Sequence, residues 1–190
     1  MARPREFDEQ QALDGALDVF WRCGYEGASL AQLLDATGLS KSSLYETFGD
    51  KRRLFLTAFD LYQERQLAQL EELLRTRKPA RRSIERFLRR VVHRPSNPWG
   101  CMVCNEAVEL GPHDPDIAKR IARHLERVEA VLTRVVERGQ RDGSIGTRST
   151  ARALARFLVM SWNGLQVLVR AKSSQPLLDD ALALALSALD

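Results

Sequence analysis

The chain is predicted to be all-α, and three observations carry that prediction. Apolar residues recur at helical spacing through most of its 190 residues. Two short helical stretches joined by a Gly-containing turn stand near the N-terminus, over residues 29–48. Two later segments, 154–169 and 181–189, are apolar on nearly every face, which marks helices that need cover on both sides.

In chain order, residues 2–5, Ala-Arg-Pro-Arg, read as an extended arm. Its Arg3 and Arg5 suit a minor groove beside a DNA-reading helix, although chain ends also commonly fray. From about Asp8 to Cys23, Ala12, Leu13, Ala16, Leu17, Val19 and Phe20 define an amphipathic helix ended by Gly24. Cys23, among Phe20, Trp21 and Tyr25, reads as a small buried hydrophobe.

In SLAQLLDATGLSKSSLYETF, residues 29–48, Ser29 caps a helix bearing Leu30, Leu33 and Leu34. Thr37 and Gly38 end it, with Gly38 free to turn left-handed. Ser40 caps the next helix without a Glu or Gln three residues on. Leu39 and Leu44 face back, while Lys41, Ser42, Ser43 and Thr47 face out. That short, polar, positively tipped face suits the second helix of a helix-turn-helix entering a major groove. A helical hairpin with a solvated face has the same spacing, so spacing alone leaves both readings open.

Residues 38–55, GLSKSSLYETFGDKRRLF, resemble the TetR/AcrR family of transcriptional regulators. That family carries a similar G-(V/L)-S-x-x-(S/T)-(L/I)-Y-x-x-F-x-x-K-x-x-L-(F/L) run, matched here by Gly38, Ser40, Leu44, Tyr45, Phe48, Lys51, Leu54 and Phe55. FWRCGYEGAS, residues 20–29, extends the likeness, which covers about residues 6–66. The resemblance implies a TetR-like fold of about nine helices. A three-helix DNA-binding domain over 1–49 would precede a ligand-binding and dimerisation domain over 50–190. It also implies that Tyr45 and Lys51 hold phosphates. A Lys behind Asp50, an expected N-cap, is physically suited to that role. The expected DNA-binding set is Arg3, Arg5, Ser29, Lys41, Ser42, Ser43, Tyr45, Thr47 and Lys51, on a palindromic duplex operator. Arg52 and Arg53 read as solvated.

Bulk charge does not carry the DNA reading. The whole chain is +4, but residues 1–66 hold 8 Lys/Arg against 11 Asp/Glu. The excess lies in residues 67–94, with 9 against 3. Placement of the cations has to carry the argument instead. No apolar run of membrane-spanning length occurs, the N-terminus lacks an apolar leader, and three cysteines form no disulfide framework. The expected location is therefore the cytoplasm, with no membrane partner.

A long helix over about 50–76 should link the DNA-binding unit to the rest, with a break near Pro79. The next helix carries Ile84, Phe87, Leu88, Val91 and Val92 on one face and Arg81, Arg82, Arg86, Arg89 and Arg90 on the other, a basic face that reads as solvated, with contact to DNA or anionic lipid as the other reading. A loop over 94–100 precedes Cys101, and a helix over about 114–141 buries Ile117, Ile121, Leu125, Val128, Val131, Leu132 and Val135. Helices over about 147–172 and 175–189 close the chain. Their all-round apolarity predicts a homodimer through Leu154, Leu158, Leu165, Leu168, Leu182 and Leu186. The family's dimers, formed through their last helices, agree.

The chemistry-bearing constellation is Cys101 with Cys104. No second ligand pair accompanies it, since His93, His113 and His124 have no fitting spacing, so no metal or cofactor is expected. Cys101 follows Pro-Trp-Gly at an expected helix N-terminus, where a thiol is made more acidic and reactive. Cys104, one turn on, is a candidate resolving partner. Two small buried residues give the same spacing. Phe87, Trp99, Met160 and Trp162, with Cys101 and Cys104, are the candidate pocket or sensor for an apolar or electrophilic effector, and core packing explains the aromatic residues equally well. With no catalytic set elsewhere, the expected function is a non-enzymatic regulator, a repressor released by a small molecule or by modification of Cys101. The alternative is a cysteine-based redox sensor or enzyme not acting on DNA.

Overall fold

A computed structural model of the chain describes residues 8–75, 78–93 and 99–190. Among these residues nine helices and no strand are present. Arg3, Arg5 and most of the loop expected over 94–100 lie outside the described residues.

Local chemistry sets most helix ends. α1 (Glu9–Gly27) begins where the Asp8 carboxylate accepts the Gln10 and Gln11 N–H groups. The predicted stop at Gly24 appears as a sharp kink, with φ 77° and ψ 175°, after which the chain runs on for three residues. Ser29 opens α2 (Leu30–Thr37) with a full capping box. Its hydroxyl accepts the Gln32 N–H while the Gln32 side chain accepts the Ser29 N–H, an arrangement worth about 1 kcal/mol. Gly38, left-handed at φ 66°, closes α2, and Ser40 caps α3 (Lys41–Phe48) by accepting the Ser43 N–H at 3.1 Å. Asp50 caps α4 (Lys51–Leu74) through the Arg53 N–H at 2.8 Å. Pro79 directly precedes α5 (Ala80–Val92), and Cys101 directly precedes α6 (Met102–Glu109). Asp114 caps α7 (Pro115–Arg141), Thr150 caps α8 (Ala151–Arg170), and Pro176 lies in the first turn of α9 (Gln175–Ser187).

Apolar packing forms two clusters that meet along α4. One joins Ala16, Phe20, Leu33, Leu44, Phe55 and Phe59 to Met102 and Val103 of α6 and to Ile117 and Ile121 of α7. The other joins Leu70, Ile84, Leu88, Val128, Leu132, Leu158 and Leu182. Helix α6 is therefore packed with the first four helices, although about fifty residues separate it from α3 in the chain.

Helices α4 and α7 run parallel, with ion pairs in ascending order. Arg52 meets Asp114 and Asp116, Asp60 meets Arg120, Glu64 meets Arg127, and Glu71 meets Arg134 at 3.7 Å. Arg52 is thus paired, contrary to its expected solvation. Pairs this exposed contribute only about 0–1 kcal/mol each, so they specify register more than stability.

The expected dimer leucines need correction. Leu154, Leu158, Leu165, Leu182 and Leu186 are buried inside the protomer, and Leu168 packs against the same core. Helix α8 is covered by α5, α7 and α9 together, so its leucines are already occupied. What stays exposed lies on other faces: Met160 (62%) and Val167 (54%) on α8, Leu177 and Leu184 (71%) on α9.

Candidate DNA-reading face and sensor cavity

Helix α3 is held from behind. Leu44 is fully buried, Leu39 and Phe48 nearly so, and this fixes which side chains point away. Lys41 and Ser42 are exposed at the N-terminal end, and Tyr45 keeps 37% of its surface one turn further on. The Ser42 and Ser43 hydroxyls each lie 2.9 Å from the Ser40 hydroxyl, which pre-orders the first turn. Lys41 makes no ion pair among the described residues, so its charge is available to a phosphate.

Three members of the expected DNA set are placed differently. Thr47 turns its hydroxyl inward, where it is buried without a hydrogen-bond partner, because it lies on the side of α3 that also carries Leu44. Ser29 is exposed, but its hydroxyl is engaged in the α2 capping box. Lys51 is half-buried with its Nζ 4.6 Å from the Tyr25 ring centroid, a cation–π contact worth about 0.5–1 kcal/mol. That contact fixes Lys51 at the first turn of α4, directly after the α3–α4 turn.

A cavity of about 310 Å³ opens between α1, α4, α5 and α8, large enough for a small organic molecule. Of the expected pocket residues, Phe87 and Trp162 line it, their ring centroids 5.1 Å apart. Trp99 stands behind the lining residue Trp21, at 5.9 Å between rings. Met160 is removed from the pocket set, since it faces outward. The sequence reading missed Trp21, Gln66, Gln69 and Gln166, together with Arg65 and Arg90. Arg65 is paired with Asp14 at 2.6 Å, whereas Arg90 makes no ion pair among the described residues. Part of the expected solvated face of α5 thus borders the cavity.

Cys101 and Cys104 lie behind one wall of this cavity. Tyr62 and Gln66 line it and also touch the Cys101 sulfur, the Gln66 amide donating at 3.4 Å. Burial alone would raise the Cys101 pKa. Hydrogen bonds from the Cys104 thiol, the Gln66 amide, the Cys104 N–H and the Tyr62 hydroxyl outweigh it, and hold the thiol below its ordinary range. Cys104 moves the other way, because its proton is shared with Cys101 and burial adds to the effect. Behind Gln66 stands His124, Nε2 to Oε1 at 2.8 Å, kept neutral chiefly by burial, its pKa lowered to about 4. A signal for this network exists in the sequence. His124 falls on the 117–121–124–128 stripe of α7 and Gln66 on the 59–62–66–70 stripe of α4, two polar residues where helical spacing calls for apolar ones.

Helix α6 is fastened to the DNA-binding helices at both ends. The Met102 N–H donates to the Tyr62 hydroxyl at 3.2 Å, the Trp21 indole donates to the Gly100 carbonyl at 3.0 Å, and Glu109 accepts the Glu26 N–H at 2.8 Å. These bonds tie α6, which adjoins the cavity wall through Tyr62, to the first helix of the DNA-binding half.

A capped helix-turn-helix with an outward polar face, on a larger helical body containing a cavity, defines a DNA-binding transcriptional regulator. Residues 12–58 match the bacterial regulatory proteins of the tetR family, and residues 79–185 match the tetracyclin repressor-like C-terminal domain. The chain belongs to the TetR family. It is 33% identical to the HTH-type transcriptional regulator YezE of Bacillus subtilis (strain 168), across 100% of both chains. To the HTH-type transcriptional repressor ComR of Escherichia coli (strain K12) it is 31% identical, over 90% of this chain and 84% of ComR. Among solved structures, a cysteine mutant of the TetR-family regulator CifR, complexed with 26 bp operator DNA, superposes with a TM-score of 0.85. That match is at 31% identity and covers 98% of this chain and 99% of CifR. With the family established, the alternative of a thiol protein acting away from DNA gives way to a regulator that binds it.

Proposed function

We propose that the protein is a homodimeric repressor that grips a palindromic operator through two copies of α3. It releases the operator when a small apolar or electrophilic molecule fills the cavity or when Cys101 is modified. The observation that carries this reading is the exposed face of Lys41, Ser42 and Tyr45 on a helix whose other side is fully packed. ComR, a repressor, and CifR, bound to operator DNA, are similar over most of their lengths. The DNA-binding domain is assigned to residues 1–49, with the helix-turn-helix at 29–48, and the regulatory domain to residues 50–190.

Release follows from differential affinity: an effector shifts the equilibrium only insofar as it binds the off-DNA form better. Helix α4 transmits the shift, since Tyr62 and Gln66 line the cavity while its first residue, Lys51, directly follows the α3–α4 turn. Lys41→Ala is expected to weaken operator binding about tenfold and to lower the slope of log affinity against log salt by about one. Fluorescence anisotropy at several stated salt concentrations measures both. Unchanged affinity and slope would remove Lys41 from the interface.

The dimer face is assigned to the exposed stripe Met160, Gly164 and Val167 of α8, spaced i, i+4, i+7, with Leu177 and Leu184 of α9. A Cβ at Gly164 would meet nothing within 4 Å of its own protomer, so this position leaves room for a second copy to approach. Met160→Arg combined with Leu184→Arg should yield a folded monomer by analytical ultracentrifugation, with operator affinity lowered about a hundredfold or more, as loss of two-site attachment predicts. A variant that remains dimeric refutes this face.

A further inference from the structure

Cys101 is the N-cap of α6 and Cys104 its third residue, so both sulfurs stand over the first turn. Side chains three apart on a helix lie about 5–6 Å from each other. The extended backbone of Cys101 (φ −94°, ψ 122°) aims its side chain across the turn, and the two thiols already share a hydrogen bond. The surrounding donors are fully accounted for. The Tyr62 oxygen accepts the Gln66 amide at 3.0 Å and the Met102 N–H at 3.2 Å, which uses both lone pairs and leaves its proton for the Cys101 sulfur. The second Gln66 N–H also points at that sulfur. The Gln66 carbonyl can only accept, so His124 Nε2 carries a proton and fixes which way the amide faces. Cys101 is 2% exposed, and the Gln66 and Tyr62 side chains that touch its sulfur line the cavity.

We infer that Cys101 and Cys104 form a dithiol switch that closes to an intramolecular disulfide when a hydroperoxide enters the cavity, with His124, acting through Gln66, as the positioning residue that aims the donors at Cys101. This rests on reading Cys101 as a trigger of operator release. The Cys101 thiolate attacks the distal peroxide oxygen; an S–O bond forms, the O–O bond breaks, and the alkoxide or hydroxide leaves with a proton as alcohol or water. The Cys104 thiol then loses its proton and attacks the Cys101 sulfur. The S–S bond forms, the S–O bond breaks, and the second oxygen departs as water. Two thiols lose two electrons in total, and the peroxide takes them. The sulfur so consumed no longer accepts from Gln66 and Tyr62, which loosens α6 from α4.

The test treats the full-length reduced dimer with hydrogen peroxide and with cumene hydroperoxide, and maps cysteine peptides without reduction by mass spectrometry. The expected product is a Cys101–Cys104 disulfide within one chain, with Cys23 still reduced. Cys104→Ser should stop at a Cys101 sulfenic acid that dimedone captures. His124→Leu and Gln66→Leu should each move the inflection of oxidation rate against pH upward by about one unit or more, with His124→Gln restoring part of the shift through its retained N–H. A disulfide involving Cys23 or a second chain overturns the inference, as does over-oxidation of Cys101 at the same rate with and without Cys104. Operator binding measured in parallel separates the two readings. A Cys101–Cys104 disulfide with unchanged operator affinity supports the dithiol chemistry and refutes Cys101 as a trigger. Peroxide-driven release without that disulfide refutes the dithiol and keeps the trigger.

Discussion

Gly15→Ala should lower thermal stability and operator affinity together. A Cβ at Gly15 would overlap the carbonyl oxygen of Ala36 and lie 2.9 Å from its carbon, so the obstacle is backbone that cannot rotate away. In an exposed helix the same change would stabilise by about 1 kcal/mol. Here α1 and α2 must separate instead, and overpacking of this kind costs about 1–3 kcal/mol. For a chain of this size that corresponds to a fall of roughly 3–10 °C in the unfolding midpoint, read by calorimetry. Because α2 and α1 together support α3, affinity should fall along with stability at temperatures where the protein is still folded. A midpoint unchanged or raised would mean that α1 and α2 pack less closely than described.

The second large effect is expected at Glu106. This carboxyl on α6 is fully buried, and neither oxygen has a hydrogen-bond partner. Burial, reinforced by Glu109, raises its pKa from 4.5 to about 8, against a smaller opposing influence from Arg170. The folded state therefore holds the proton while the unfolded state releases it. Stability should fall as pH rises from about 4.5 and level off near 8, losing about 1.4 kcal/mol per pH unit in between. Glu106→Gln removes the titration, so it should stabilise the protein at pH 7 by on the order of 3 kcal/mol and make little difference at pH 4.5. Urea melts at the two pH values measure this. Equal gains at both would show that the group is ionised or solvated in the folded state. The carboxyl lies on α6, the helix directly after Cys101, so this helix is held at a cost in stability.

The DNA-reading half was legible because its determinants are local. Ser29, Gly38, Ser40 and Asp50 act within three or four residues of themselves, and each cap or turn stands where the sequence placed it. The one cap detail missed there, the Gln32 half of the capping box, was equally local. The C-terminal half was less legible, for a physical reason. Apolarity on every face says that a helix is covered, but not by what. The leucines of α8 and α9 are packed against α5 and α7, and the exposed apolar surface of α8 is the Met160–Val167 stripe, the face proposed for a second copy. Convergent polar side chains were harder still. Gln66, His124 and Tyr62 meet Cys101 only because α4, α6 and α7 come together, and Arg52 finds Asp114 across 62 residues of chain. Thr47 shows the same limit on one short helix, where spacing alone did not tell an outward hydroxyl from one turned toward the core.

Two copies of α3 are proposed to read a symmetric DNA site. Selection of bound sequences from random duplexes by the reduced dimer, at stated salt, tests it most directly. The expected result is an enriched palindrome whose half-sites are separated by about one helical turn, or a multiple of it, lost in Lys41→Ala. Recovery of no enriched sequence by a folded, dimeric protein would contradict it.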